Sequence, residues 1–231
     1  MAKTEEEDAK YKSLKLLGLT VQILIGIVLA MALVRLGGFV VDGYLLSIGR
    51  TAVDLEITSA IEKTAGMLGS LFYLWAGVFF LAWQRRAFRN LRALNAEGMK
   101  NKEWYCLWGF FIPVACLYTP MSVMNETWKA SNPAVLDKEE WKNAKNSVLI
   151  ICWWAAWLAY GLPNLIRTML NQGTYDESSA VNFLQSMPFF MILQAIYCIA
   201  AFLAILVVRQ VTARQNKKFE LIQSHKTENI N

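Results

Sequence analysis

At 231 residues a soluble chain would hold one or two domains, but 55% of this one is hydrophobic, and its apolar residues come in uncharged blocks instead of an amphipathic stripe. The net charge of +5 lies in flanks beside those blocks, where basic residues orient a chain in a membrane, and with no nucleic-acid motif present this excludes nucleic acid as a partner. Cys106, Cys116, Cys152 and Cys198 all sit in apolar segments, and the single histidine, His225, lies in the tail, so zinc and haem ligation are excluded and no cofactor is expected.

In chain order, residues 1–15 form an N-terminal tail with four lysines, Lys3, Lys10, Lys12 and Lys15. Leu16–Val34 is an uncharged run of 19 residues, and roughly 20 apolar residues carry a helix across a hydrocarbon core of about 30 Å. The "LAMA" inside it resembles a cleavage site, yet the run is too long for a signal peptide and an acidic segment precedes it. It reads as an uncleaved first span. Arg35–Thr64 then reads as an external connection, in which Val40, Val41, Tyr44, Leu45 and Ile48 suggest a helix lying on the membrane.

Ala65–Trp83, again 19 residues without charge, is the second span. The stretch "WQRRAFRNLRALNAEG" continues it as a helix. Trp83, Arg86, Asn90 and Leu94 share one face, Arg85, Arg89 and Arg92 line its neighbour, and Gly98 is placed to end it. A basic helix at a membrane attracts anionic headgroups, at about 1 kcal/mol per residue. Arg85, Arg86, Arg89, Asn90 and Arg92 are thus the candidate contacts for lipid or a partner, against the alternative of a plain stop-transfer flank.

Trp104–Met124 is 21 residues long and uncharged, interrupted by Pro113 and Pro120. Ser147–Ile166 and Met187–Val208, of 20 and 22 residues, are further spans. Lys and Arg decide the topology. Gln84–Glu103 carries six, Asn125–Asn146 four, Thr168–Ser186 none, and the chain from Arg209 five. With the N-terminus inside, both flanks of Trp104–Met124 must lie inside too, so that segment touches the membrane without crossing. Each proline withdraws an N–H, leaving the carbonyls of Gly109 and Cys116 without a helical partner, which is tolerated at membrane depth only against protein or water. A re-entrant or interfacial segment suits this; the alternative is a proline-kinked fifth span.

Pro120 is expected to open a short amphipathic helix carrying Met121, Met124 and Trp128, ended by "SNP" at Ser131–Pro133. Asp137 and Glu140 form a capping box for a surface helix. Trp104, Trp128 and Trp141 mark headgroup depth, and Trp153, Trp154 and Trp157 open the third span as belt and packing residues.

The patterns "W-x-x-R-A-x-x-N-x-x-A-L" at Trp83–Leu94, "W-x-x-x-W-x-x-F-I-P-x-x-x-L-x-x-P" at Trp104–Pro120, "W-K-A-S" at Trp128–Ser131, the pair Trp153–Trp154 and "VRQVTARQ" at Val208–Gln215 resemble the bacterial domain of unknown function 4328, over about Ala65 to Gln215. Trp83, Trp104, Trp108, Pro113, Pro120, Trp128, Trp153 and Trp154 carry the structural motif. Cys116 departs from it, standing where the family pattern has Asn. The resemblance implies a bacterial integral membrane protein of no established activity, with its specific features at the cytoplasmic face.

The expected architecture is all-α, with four transmembrane helices plus one re-entrant or interfacial segment, in a single membrane domain of residues 16–216. A disordered cytoplasmic C-tail, 217–231, follows. The expected setting is the bacterial inner membrane with both termini cytoplasmic. The expected role is a non-catalytic scaffold, accessory subunit or regulator, whose partners are the bilayer, anionic headgroups and a membrane protein or second copy. A channel or transporter component is the alternative. Against it, the four apolar runs hold no Asp, Glu, Lys or Arg, and Gln22, Asn164 and Gln194 read as interhelical hydrogen-bond partners. An enzyme would need a base beside Cys106 or Cys116, and none is offered.

Overall fold

A computed structural model describes residues 10–48, 56–112, 114–170 and 180–228. All regular structure among them is helical. Four long helices, α1 (Lys15–Ser47), α2 (Glu56–Ala93), α5 (Val148–Leu170) and α6 (Ala180–Glu228), enclose in sequence a short α3 (Tyr105–Trp108), α4 (Ala115–Ala130) and a 3₁₀ turn, Glu140–Asn143.

The four long helices are each long and apolar enough to cross a membrane. Only 17–44% of the most apolar stretch of each is buried, so most of that surface faces outward, as on helices surrounded by lipid. Trp104–Met124 contributes no such helix. Its two helical pieces are separated by turns at 109–112 and 114, and Val114 takes φ +66, a strained conformation for a β-branched residue. At Gly109 the chain folds back: a Cβ there would stand 2.5 Å from the Tyr105 carbonyl and 2.8 Å from Thr119 Cγ2. Pro113 lies outside the described residues.

Several boundaries differ from the sequence reading. α1 runs past Arg35 to Ser47 and α2 begins at Glu56, so Arg35, Asp42 and Glu62 belong to the spanning helices and not to an external connection. Packing of the two helices on each other, through glycines described below, sustains them beyond the uncharged runs. Pro120 lies inside α4, not at its start; with no N–H it leaves the Cys116 carbonyl without that bond and does not stop the helix. α6 continues through 217–228, where a disordered tail is expected, because Lys218 and Ile222 are buried against other parts of the chain. α2 ends at Ala93 and is closed by Asn95 (φ +60) instead of Gly98. The N–H of Ala96 donates to the Leu91 carbonyl and that of Asn95 to Arg92, the paired bonds of a Schellman motif.

Two compact units can be distinguished. One comprises residues 1–22, 77–151 and 205–231, the other 23–76 and 152–204. The core of the first is Phe88, Leu91, Leu94, Ala96, Cys106, Val123, Ala130, Trp141 and Ile222. In the second, Gln194 Nε2 of α6 donates to the Ala32 carbonyl of α1 at 2.9 Å. Gln194 is thus an interhelical partner, whereas the amides of Gln22 and Asn164 donate to carbonyls of their own helices, Gly18 and Tyr160. Trp153 and Trp154 are buried, and Trp154 stacks on Trp157 with centroids 4.8 Å apart.

Candidate functional site

The sequence-predicted residues on the basic helix all fall in the first unit. Their faces sort by exposure. Trp83, Gln84, Ala87, Asn90, Leu91 and Leu94 are buried, and Arg85, Arg86, Arg89 and Arg92 are exposed. Arg86 therefore does not share the face of Trp83, Asn90 and Leu94. Glu103 receives Arg85 at 2.7 Å and Arg89 at 3.1 Å, leaving the guanidinium row attached at one edge to the segment that leads into α3.

Asn90 is 3% exposed, and its amide is spent within the chain. Nδ2 donates to the Lys12 carbonyl at 2.8 Å and to Gln215 Oε1 at 3.2 Å, while Oδ1 accepts the Lys12 N–H at 3.0 Å. It thus clamps Lys12 within the non-helical strap of residues 10–14, and its amide is engaged at both Nδ2 and Oδ1. Tyr11 completes the strap, stacking on Phe219 at 4.1 Å and donating to Asn216 Oδ1 at 2.7 Å. Burial, with the Glu220 carboxylate adding to it, pushes the Tyr11 hydroxyl up from 10.0 to about 12.

α6 supplies groups that the sequence reading missed. Thr212, Gln215 and Lys218 recur every third residue with Ile222 beyond, all buried, and that spacing along one helical face is the signal that could have found them. Thr212 Oγ1 accepts from Trp83 Nε1 at 3.0 Å. Gln215 Nε2 donates to the Ala87 carbonyl and to Ser131 Oγ. Lys218 Nζ donates to the Ala130 carbonyl at 2.9 Å, a cation on the last carbonyls of α4, where the helix dipole favours one.

The connection between α2 and α5 is held in the same way. Glu126, 7% exposed, accepts from the backbone N–H groups of Lys100 and Asn101 and from Asn101 Nδ2. Asn125 Oδ1 accepts the Ser147 N–H, and Ser147 Oγ in turn accepts from Ile150 as cap of α5. Asp137 Oδ1 accepts the N–H groups of Glu139 and Glu140, which hold its carboxyl below the ordinary range. The expected capping box is not formed: the 3₁₀ turn starts at Glu140, and its N-cap is Glu139, with no side-chain cap bond. Trp141 is buried, with its indole N–H on the Lys138 carbonyl. Trp128 carries the Arg214 guanidinium 3.8 Å above its ring. Trp104 and Trp108 are exposed, and with Leu107, Phe111, Val114 and Leu117 they make an apolar surface around the turn of the Gly109 fold-back.

Chemically, an exposed guanidinium row can bind phosphate or carboxylate oxygens. Nucleophilic chemistry is not offered by Cys106, which is buried; burial first, then Glu103, pushes its thiol up to about 12.

Compared with known proteins, residues 48–213 match a family model described as Domain of unknown function (DUF4328). No curated protein and no solved structure matches the chain.

Proposed function

We propose, on the premise that this chain belongs to the family described as Domain of unknown function (DUF4328), that it is a non-catalytic platform of the bacterial inner membrane. In this reading it is a scaffold, accessory subunit or regulator whose cytoplasmic face is the first unit. The observation that carries it is the division of polar groups. Asn90, Gln215, Glu126, Lys218 and Ser131 are consumed in fixing the unit, and Arg85, Arg86, Arg89 and Arg92 are left outward. A rigid body with an outward cationic row suits anionic headgroups or an acidic partner surface.

The strap supports both termini lying on one side. Tyr11 touches Asn216 and Phe219, and Lys12 touches Asn90, which accords with an even number of crossings and a Trp104–Met124 segment that enters without traversing. The exposed apolar turn at Trp108, Phe111 and Val114 is the part that would sit in lipid, with the positive-inside bias placing the unit in the cytoplasm.

The test is a topology reporter fused at Asn231 with a second inserted within 132–145, combined with a photo-crosslinking residue in place of Arg86. Both reporters inside and a discrete, reproducible adduct to headgroup or protein are expected. An external signal from either reporter refutes the platform.

A further inference from the structure

In the second unit α1 and α2 bring charged side chains together inside helices that are long and apolar enough to span. Arg35, Gly38 and Asp42 follow 3-4 spacing on α1, and Glu62, Gly66 and Gly69 follow 4-3 spacing on α2. The glycines fit the two faces together. A Cβ on Gly69 would meet Met31 Cβ at 3.4 Å, and one on Gly66 would meet the Arg35 guanidinium at 3.7–3.8 Å. On Gly38 it would strike the Glu62 carboxyl, which therefore lies on bare helix backbone, subject to the charges of both Asp42 and Arg35.

Asp42 is 4% exposed. Its Oδ1 and the Oε1 of Glu62 are buried with no hydrogen-bond partner among the described residues. Arg35 also lines a cavity of about 320 Å³, together with Ser70, Tyr73, Tyr160, Gln194 and Tyr197. The Tyr160 and Tyr197 rings are 4.6 Å apart, with Tyr73 6.4 Å from Tyr197. Among the described residues, the charged groups facing Glu62 are thus Arg35 and Asp42 of α1. Tyr73 of α2, Tyr160 of α5 and Tyr197 of α6 face Arg35 across the cavity.

Among the described residues, one guanidinium and two ionised carboxylates leave one negative charge in excess. Burying an uncompensated charge costs several kcal/mol, and buried carboxylate oxygens without donors are the atoms on which that cost falls. Ionisable side chains in spanning helices mark ion and proton sites. We propose that the Asp42–Glu62 pair beside Arg35 binds one unit of positive charge, a proton or an alkali cation, with the tyrosine-lined cavity as its approach. The site is independent of the cytoplasmic platform, and either can fail without the other.

Glu62→Gln tests this in the full chain reconstituted in nanodiscs, because it leaves Arg35 balanced by Asp42 alone. Two quantities are measured: proton uptake by potentiometric titration, in the pH interval above that of ordinary carboxylates, and saturable binding of radioactive sodium or rubidium. In the proton arm the wild-type chain takes up one proton there that Glu62→Gln lacks. In the cation arm it binds one sodium or rubidium ion that the variant does not, releasing no more than one proton. Asp42→Asn leaves the same balanced pair from the other side and repeats the comparison if Glu62→Gln fails to fold. The proposal is overturned if wild type and folded variants take up equal protons in that interval and bind neither ion saturably.

Discussion

The indole N–H of Trp83 on α2 reaches Thr212 Oγ1 on α6 at 3.0 Å, and Gly18 of α1 closes over the pair. A Cβ on Gly18 would stand 2.8 Å from Thr212 Oγ1 and 3.5 Å from Trp83 Nε1. Rotating Thr212 away would break the bond, so Gly18→Ala should cost about 1–3 kcal/mol. Gly26→Ala, with nothing within 4 Å, should change stability by less than about 0.5 kcal/mol. Unfolding in mixed micelles, followed by tryptophan emission, separates the two.

Asn90 and Gln215 share a hydrogen bond and each also holds backbone, Lys12 in one case and Ala87 in the other. Truncating either to Ala leaves buried groups unpaired, at about 1–3 kcal/mol. The double variant should lose less than the sum, with a coupling of about 0.5–3 kcal/mol. Strict additivity would show that the shared bond contributes nothing.

Glu103 engages two of the outward arginines through exposed pairs, and such pairs are worth about 0–1 kcal/mol. Glu103→Gln should therefore leave stability nearly unchanged while freeing Arg85 and Arg89. Native mass spectrometry of chain extracted from phosphatidylglycerol-containing membranes should then find more anionic lipid retained. Unchanged retention would argue that the row contacts protein.

The Tyr11 hydroxyl has its value raised from 10.0 to about 12. A neutral form favoured on folding stabilises fully below the unfolded value, and that contribution is lost as pH rises from 10.0 through about 12. Hydrogen exchange of residues 10–14 should accelerate across that alkaline window. Tyr11→Phe should remove this phase and weaken strap docking by about 0.5–1.5 kcal/mol at neutral pH.

Cys106, whose thiol burial pushes up to about 12, should resist maleimide labelling at neutral pH until the chain is denatured. Mass spectrometry of the labelled peptide checks this. Labelling in the folded protein would mean that the core around Leu91 and Val123 opens.

What the sequence by itself determined is where the chain resides. Four uncharged runs of 19 to 22 residues can be stable only where backbone is satisfied within helices and side chains meet lipid, and that holds for any arrangement of the runs. The two prolines likewise pointed to a break between Trp104 and Met124, since the effect of a proline is local to a few residues. Tertiary structure decided which polar groups are spent and which are left over. Asn90 reads as a surface contact along the chain and proves to be a clamp, because its partners are Lys12 and Gln215, 78 and 125 residues away. Arg35, Asp42 and Glu62 lie beyond the uncharged runs and read as part of an external connection, with Asp42 on a helix lying on the membrane. Only the packing of α1 on α2 through Gly38, Gly66 and Gly69 extends both helices far enough to gather the three charges. Hydropathy reports the solvent that each residue prefers, whereas the neighbour that neutralises a charge belongs to another helix and is chosen when the helices pack.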